Sequence, residues 1–165
     1  GNLQLHLGEI DLAALVHEAV ASLEPVAAQK QQRLHCTAPT APLPPVQADP
    51  DRLRQVFDNL IGNAVKFTPP GGEIAVHLGS SGGWAFAEVR DSGPGLGPEE
   101  FARIFSPGQP LVPKPAGADA SEDSTGIGLF IARELLTLQG GRLEVQSKPG
   151  QGAIFRVLLP LAPHP

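Results

Sequence analysis

The chain has 165 residues, of which 41% are hydrophobic, and a formal net charge of -5. The negative charge argues against a nucleic-acid backbone or an anionic membrane as a partner. One cysteine, Cys36, excludes an internal disulfide framework and suits a reducing compartment. No run approaches the roughly 18 apolar residues of a membrane span. We therefore expect one cytoplasmic, globular domain, and the lack of methionine favours a piece of a longer protein.

Residues 3–7 alternate in hydrophobicity and predict a short strand or arm. Asp11 can cap a first helix that runs to about residue 30. Pro25 is expected to kink or end that helix. A strand is predicted at residues 33–37, before a Pro-rich connector at 38–50. The spacing of apolar residues predicts that the buried face of the helix consists of Leu12, Leu15, Val16, Ala19, Val20 and Leu23.

A second helix is predicted at residues 51–67, and it carries two amides in its middle. Its apolar stripe is Leu53, Val56, Phe57, Leu60, Ile61 and Ala64, and a polar stripe is Arg52, Gln55, Asn59, Asn63 and Lys66. Asn is a poor helix former, roughly 0.5–0.7 kcal/mol worse than Ala. No capping role explains Asn59 or Asn63. A side-chain carbonyl oxygen suits Mg²⁺, and Lys66 can meet phosphate charge. A solvated helix face is the alternative.

A Gly- and Pro-rich turn ends this helix, and residues 73–79 and 84–90 predict a β-hairpin. The second strand runs into the sequence DSGPGLG, which begins at Asp91. A carboxylate at a strand end, beside glycines that let the backbone approach a ligand, can accept a hydrogen bond from an exocyclic amine. No βαβ unit surrounds the motif, so it does not fit a dinucleotide-binding fingerprint. A plain Gly-rich turn stays open as the alternative.

Pro98 and the two acidic residues after it predict the start of a short helix that ends near Phe105. Residues 106–123 contain four prolines and no periodicity, so we expect a functional lid or disorder there. Ser124 or Thr125 is expected to open a further helix, and the backbone N–H groups at its N-terminus can bind phosphate. That helix ends at Gly140.

Two closing strands are predicted at residues 142–147 and 152–159. The order of elements predicts an α/β (α+β) two-layer sandwich. In it, helices pack on one face of a mixed, largely antiparallel sheet, beside a long lid.

Taken in order, these motifs resemble the ATP-binding catalytic domain of bacterial two-component sensor histidine kinases, in the GHKL superfamily. DRLRQVFDNLIGNAVKFTPPGG is similar to the family's N box, DSGPGLG to its G1 box, FARIF to its F box and STGIGL to its G2 box. The ending GGRLEVQSKPGQGAIFRVLLP is similar to its closing hairpin. The resemblance implies a GHKL-type ATP-binding fold at residues 11–160, with a lid at about 106–123. Residues 1–10 would end an arm from an absent helical dimerisation domain, and 161–165 would be a tail.

The resemblance also implies a site for ATP and Mg²⁺. Asn63 would coordinate Mg²⁺, while Asn59 and Lys66 would act at the phosphates. Asp91 would bind the adenine amino group, and Phe67 would lie near the base and sugar. The glycines that would shape the base pocket are Gly93, Gly95 and Gly97. The residues that would free the lid hinge and place backbone amides at the phosphates are Thr125, Gly126, Ile127, Gly128 and Leu129.

The family transfers the γ-phosphoryl group of ATP to a histidine on a separate dimerisation domain, which then supplies an aspartate on a response regulator. No histidine of this chain matches the acceptor motif, and we expect surface or packing roles for His6, His17, His35, His77 and His164. The chain alone is therefore expected to bind ATP as a monomer without phosphorylating itself. The parent protein is expected to be a homodimer, and its membrane anchoring stays open. No membrane or nucleic-acid contact is expected of this domain.

Several positions depart from the family's pattern. Ser124 replaces a usual glycine, Phe105 lacks a second aromatic after it, and Lys114 is the lone lid cation. Ala153 stands where the family often has Thr or Ser. Substitutes for the missing lid contacts are Arg103 and Gln109. These departures motivate an alternative function, a degenerate ATP-sensing module without productive transfer.

Two further alternatives concern other classes of protein. An ATPase related to gyrase would need a glutamate as general base at the position of Asn59, and an amide cannot take that role. A plain protein-interaction domain does not account for the order of the motifs.

Overall fold

The computed structural model describes residues 4–39, 41–95, 120–147 and 149–163, and for residues 120–127 it describes the backbone alone. Within these residues, seven strands and three helices follow one another along the chain. They are β1 (Gly8–Ile10), α1 (Leu12–Gln29), β2 (Arg33–Thr37), β3 (Val46–Ala48), α2 (Pro50–Phe67), β4 (Glu73–Ser81), β5 (Trp84–Asp91), α3 (Ala120–Leu138), β6 (Arg142–Ser147) and β7 (Ala153–Pro160). In the part of the chain so described, no helix has the length and apolar content that crossing a membrane requires.

The main sheet has five strands in the order β2-β4-β5-β7-β6. β2 and β4 pair in parallel, and every other pair is antiparallel. α2 lies between α1 and α3. On the sheet, α1 contacts β2, α2 contacts β5 and α3 contacts β6. Residues of β5 and β7 alternate between buried and half-buried, as expected when helices cover one face of a sheet. The predicted mixed sheet with helices on one face is therefore confirmed.

A second, two-stranded sheet of β1 and β3 was not predicted. Its register pairs Gly8 with Ala48 and Ile10 with Val46, so the strand near the N-terminus lies at 8–10, and residues 4–7, the described part of the predicted segment, are not in a strand. β3 falls inside the predicted Pro-rich connector. Val46 and Ala48 are fully buried, but a strand of three residues is too short a run to show a period. The pairing also joins segments far apart in sequence, which no local pattern encodes.

α1 begins as predicted, because the Asp11 carboxylate accepts a hydrogen bond from the N–H of Ala14 (3.2 Å). Its buried residues include Ala27, while Leu15 and Leu23 are only partly buried. The prediction that Pro25 could end the helix is wrong, since α1 continues to Gln29. The carbonyl left without its amide partner belongs to Ala21, and both residues lie on the exposed side, where water can hydrate it.

α2 begins at Pro50, one residue before the predicted start. Asp49 caps it by accepting hydrogen bonds from the N–H groups of Asp51 (3.0 Å) and Arg52 (3.2 Å), and proline suits the first helical position. Every residue of the predicted apolar stripe is buried, and Val65 joins it.

α3 begins at Ala120, so the prediction of a helix start at Ser124 or Thr125 is wrong. Alanine is the best helix former, and the two acidic residues before Ser124 suit the positive end of the helix dipole. The last residues of the predicted lid, 120–123, are therefore helical. The rest of that lid and the predicted helix between Pro98 and Phe105 lie outside the described residues. The predicted end of α3 is confirmed, with Gly140 at φ +78°.

Candidate functional site

The two mid-helix amides of α2 are half-exposed and have different surroundings. Asn59 Nδ2 donates a hydrogen bond to the Gly128 carbonyl oxygen of α3 (3.3 Å). Asn63 Nδ2 is buried, and it has no hydrogen-bond partner among the described residues. Asn59 therefore contributes to the contact between two helices, whereas no hydrogen bond within the described part of the chain accounts for the Asn63 amide nitrogen.

The contact between α2 and α3 brings Asn59 close to Gly128, as the predicted phosphate site requires. A Cβ built at Gly128 would lie 3.8 Å from the Asn59 Cγ and 3.9 Å from its Cβ, an ordinary contact distance. Because α3 begins at Ala120, Gly128 lies two turns inside the helix. The N–H groups of residues 125–129 therefore bond within the helix and do not form its free end.

The C-terminal turn of α2 carries Lys66 and Phe67. The Lys66 ammonium lies 5.2 Å from the centroid of the Phe67 ring, within the range of a cation–π contact. Phe67 is 37% exposed, which is high for an aromatic residue next to a buried helix end. A Cβ built at Gly93 would lie 3.3 Å from the Phe67 carbonyl oxygen, so the end of α2 lies against the Gly-rich turn after β5.

Asp91 is the last residue of β5, and its carboxylate is partly buried. The Gly93 N–H donates to Oδ1 (3.0 Å), and the backbone N–H of Ala153 also hydrogen-bonds to the side chain. Burial raises the pKa of Asp91, and these two N–H groups only partly offset that effect. Asp91 thus presents a fixed, poorly solvated acceptor.

Gly152 allows this close arrangement. Its φ is +79°, and a Cβ at this position would overlap the Asp91 carbonyl oxygen. Only glycine fits both the conformation and the space.

An open cavity of about 630 Å³ adjoins Asp91 on the side of the β6–β7 turn. Its lining consists of Arg90, Asp91, Val145, Gln146, Ser147, Gln151, Gly152, Ala153 and Ile154. The cavity does not include the predicted residues of α2. Of the predicted site residues, Asp91 lines this cavity, whereas Phe67 and Gly93 do not.

The structure places the remaining predicted site residues as follows. Gly95 has φ +77° and is half-buried, while Gly97 lies outside the described residues. Leu129 is 2% exposed and belongs to the core, so its side chain is not available to a ligand. For Thr125, Gly126 and Ile127, the described backbone is helical. The substitutes proposed for lid contacts, Arg103 and Gln109, and the lid cation Lys114, lie outside the described residues.

Where the structure describes them, the histidines lie at or near the protein surface. His6, His17 and His35 are exposed, and His77 is half-buried. His35 Nε2 lies 3.0 Å from a Glu73 carboxylate oxygen, which is a surface contact.

Sequence reasoning missed a buried polar cluster around Asp49, at the start of α2. Asp49 is 3% exposed, and its N–H donates to Gln139 Oε1 (2.8 Å), while its carboxylate accepts from the N–H of His6 (2.8 Å). Gln139 directly follows α3, so this cluster joins α2, α3 and the N-terminal arm. The Asp-Pro pair before a helical pattern is a capping signal that could have revealed Asp49.

Comparisons with known proteins agree with this geometry. A family model described as histidine kinase-, DNA gyrase B-, and HSP90-like ATPase matches residues 48–163. The adaptive-response sensory kinase SasA of Synechococcus sp. (strain CC9311) is 38% identical over 153 residues, which are 92% of this chain and 39% of SasA. The chain therefore spans well under half the length of that relative.

Two solved structures resemble the fold. Full-length ShkA in complex with AMPPNP matches with a TM-score of 0.80 at 33% identity, covering 98% of this chain and 33% of ShkA. The nucleotide-free catalytic domain of the histidine kinase ThkA matches with a TM-score of 0.76 at 25% identity, covering 94% of this chain and 96% of that domain.

The chain therefore belongs to the family of histidine kinase-, DNA gyrase B- and HSP90-like ATPases. Within that family, it is an ATPase-type catalytic domain of the sensor histidine kinase kind. The predicted family and fold are confirmed, and nothing in these comparisons favours the degenerate alternative.

Proposed function

We propose that this chain binds ATP with Mg²⁺ between α2, the turn after β5 and α3, and presents the γ-phosphoryl group to a histidine on a separate dimerisation domain. The observation that carries the proposal is the end of α2 against the Asp91 turn, where Phe67 and Gly93 meet beside a partly buried carboxylate. The complex of the similar protein ShkA with AMPPNP supports the choice of nucleotide.

Asp91 would recognise the base. A carboxylate accepts hydrogen bonds only, and the exocyclic amine of adenine donates them. Because Gly93 and Ala153 already hold the carboxylate, it is oriented before the base arrives. The half-exposed Phe67 ring would cover the base or sugar, and Lys66 would meet phosphate charge.

The side chain of Asn63 fits a magnesium ligand. Among the described residues, no group of three or more His, Cys, Asp or Glu side chains could hold a metal ion. An Asn carbonyl oxygen that shares the ion with phosphate oxygens and water would not need such a group. Among the described residues, the buried Asn63 Nδ2 has no hydrogen-bond partner, so no such bond assigns the amide nitrogen a structural role. When bound, Mg²⁺ would neutralise charge on the phosphate oxygens.

Transfer to histidine is favoured over hydrolysis by the chemistry of Asn59. The gyrase-type alternative needs a carboxylate there to activate water, whereas the Asn59 amide donates to Gly128. Phosphoryl transfer needs mainly positioning and charge stabilisation, which Asn63 and Lys66 would supply. We propose a cytoplasmic setting, a homodimeric parent protein and a response regulator as the downstream partner.

A fluorescent ATP analogue, titrated with and without Mg²⁺, tests the binding site. We expect Mg²⁺ to tighten binding to the wild type and to have little effect on Asn63→Ala, while Asp91→Ala loses binding in both conditions. Gln55→Ala on the same helix face is the matched control. Failure of the wild type to bind would overturn the proposal.

Transfer is tested by mixing the chain and γ-labelled ATP with the histidine-bearing dimerisation domain of the parent protein. We expect label on that domain, and none after its acceptor histidine is replaced. Rapid release of free phosphate without labelled protein would favour the ATPase alternative.

A further inference from the structure

Two side chains between α1 and β2 hold the C-terminal end of α2. Lys30 Nζ donates to the carbonyl oxygens of Val65 (2.6 Å) and Lys66 (3.0 Å). Gln32 Nε2 donates to the carbonyl oxygens of Val65 (2.8 Å) and Thr68 (2.5 Å). Together they make four hydrogen bonds to the backbone of one helix end.

These contacts supply hydrogen-bond donors that the C-terminal end of the helix lacks. The last four carbonyl groups of an α-helix have no partner within it, and they form the negative end of the helix dipole. The Lys30 ammonium meets that end with a positive charge. Gln32 is 7% exposed and Thr68 is 1% exposed, so water does not readily replace the Gln32 donor. The helix end is therefore capped by another part of the chain.

The segment that carries the two donors is itself fixed. Gln31 adopts φ +59°, a left-handed conformation that non-glycine residues seldom take. Its carbonyl oxygen accepts from the N–H of Gly71 (2.8 Å), and the N–H of Arg33 donates to Gly72 (2.9 Å). The turn after α1 thus docks on the turn after α2 through backbone as well as side chains.

We propose that Lys30 and Gln32 are positioning residues for the nucleotide site, acting through the last turn of α2. This inference rests on the proposed function. Lys30 binds the carbonyl of Lys66, and the next carbonyl, that of Phe67, lies against Gly93 beside Asp91. Movement of this turn would therefore shift Lys66, the proposed phosphate contact, and Phe67, the proposed contact to the base or sugar. Both would move relative to Asp91, which is held separately on β5.

A second tie between α1 and α2 provides a matched control. Arg54 NH1 lies 3.5 Å from a Glu18 carboxylate oxygen near the other end of α2. Arg54→Met and Lys30→Met each remove one cation and one contact between α2 and the α1 side of the domain. Of these two residues, Lys30 alone contacts the turn that carries Lys66. A role in general stability predicts similar effects of the two variants, whereas a positioning role predicts different ones.

The experiment measures ATP affinity for the wild type, Lys30→Met, Lys30→Arg, Gln32→Met and Arg54→Met, with folding checked by urea unfolding. We expect about tenfold weaker binding for Lys30→Met, since a hydrogen bond from a charged group is worth roughly that factor, and a smaller loss for Gln32→Met, whose donor is neutral. Arg54→Met is expected to bind like the wild type. Lys30→Arg, which keeps donors and charge, is expected to recover most of the affinity.

A double-mutant cycle with Lys66→Ala separates positioning from stability. If Lys30 acts through Lys66, Lys30→Met weakens binding less in the Lys66→Ala background than in the wild type. Equal effects of Lys30→Met in both backgrounds, or wild-type affinity of Lys30→Met, would overturn the inference. The proposed function would still stand in that case, provided that the wild type binds ATP. Absence of binding by the wild type would overturn both. If a Met variant does not fold, Lys30→Gln is used in the same cycle.

Discussion

Asn59 and Gly128 join the middle of α2 to α3 through one hydrogen bond, from the Asn59 amide to the Gly128 carbonyl. Because the donor is an amide nitrogen, the hydrogen bond can be removed by a substitution that keeps the shape of the side chain. Asn59→Ala removes the donor, and Asn59→Asp directs a carboxylate at a carbonyl oxygen. We expect unfolding free energies lower by about 1 and about 2 kcal/mol respectively, measured by urea unfolding. Equal stability of Asn59→Asp and the wild type would contradict this.

Gly128→Ala is expected to make the domain more stable. The added methyl group meets the Asn59 side chain only at ordinary contact distances, 3.8–3.9 Å. Replacing a mid-helix glycine with alanine stabilises a helix by about 0.5–1 kcal/mol. The same urea experiment checks the expectation, and a loss of stability would show that α2 and α3 are packed more closely than described. Weaker ATP binding by this stable variant would support a hinge role for Gly128.

The raised pKa of Asp91 predicts opposite effects of acid on stability and on binding. A folded-state pKa above the unfolded value means that the stabilising contribution is complete below the unfolded pKa and is lost as the pH rises through the folded pKa. The ionised form is the better acceptor for the adenine amine, so ATP affinity falls as the pH falls through that folded pKa. Unfolding and binding curves from neutral pH down to about pH 4 measure both effects.

Asp91→Asn is the matched variant for that titration. The Gly93 and Ala153 N–H groups and the adenine amine would compete for one oxygen, so we expect binding at least about tenfold weaker. The part of the pH dependence due to Asp91 should also vanish. Unchanged pH dependence in this variant would assign the effect to another group.

Alanine substitutions at Gly152 and Gly150 distinguish the cost of backbone strain from the cost of steric overlap. Both have positive φ, +79° and +80°, but a Cβ at Gly150 meets nothing within 4 Å, whereas one at Gly152 overlaps the Asp91 carbonyl. Gly150→Ala is expected to cost about 1–2 kcal/mol of unfolding free energy. Gly152→Ala is expected to cost more and to weaken ATP binding, because Asp91 must move. Equal losses in the two variants would contradict the described packing.

Asp49 predicts how acid destabilises the start of α2. Burial alone would raise the pKa of Asp49, but hydrogen bonds from the N–H groups of His6, Arg52 and Asp51 lower it overall. Its stabilising contribution is therefore present above the unfolded pKa and is lost as the pH falls through the lowered folded value. Asp49→Ala is expected to cost about 1–3 kcal/mol at neutral pH and less in strong acid.

Urea unfolding at neutral and acidic pH measures this difference, and the exposed Asp58→Ala on the same helix is the control. A loss that is the same at both pH values would assign the Asp49 effect to packing and not to its charge.

The parts of the fold that were predictable carry a periodic or capping signal of their own. α2 could be predicted from its apolar stripe, and α1 from that of Leu12 to Val20 together with the cap at Asp11. β3 could not, since its three residues gain their burial only by pairing with β1. The start of α3 was missed because Ser124 and the glycines after it suggest a helix start more strongly than Ala120 does.

The same distinction applies to the site. Asn63 and Asp91 can be proposed as site residues from the sequence because their residue types are unusual where they stand, in mid-helix and at a strand end. Lys30 and Gln32 look like ordinary surface residues at a helix end. Their partners are backbone carbonyls of another helix more than 30 residues away, and such contacts do not alter the local pattern.

The early start of α3 sets a condition on any phosphate that is to be held by the backbone amides of residues 125–128. These N–H groups already bond to carbonyl groups one turn back, beginning with the residues next to Ala120. A ligand gains them only if the first turns of α3 unwind, so ATP binding and helix unwinding become one coupled equilibrium. Substitutions that stabilise the first turn of α3 would then lower the association rate and the affinity for ATP, although no residue of the pocket is changed.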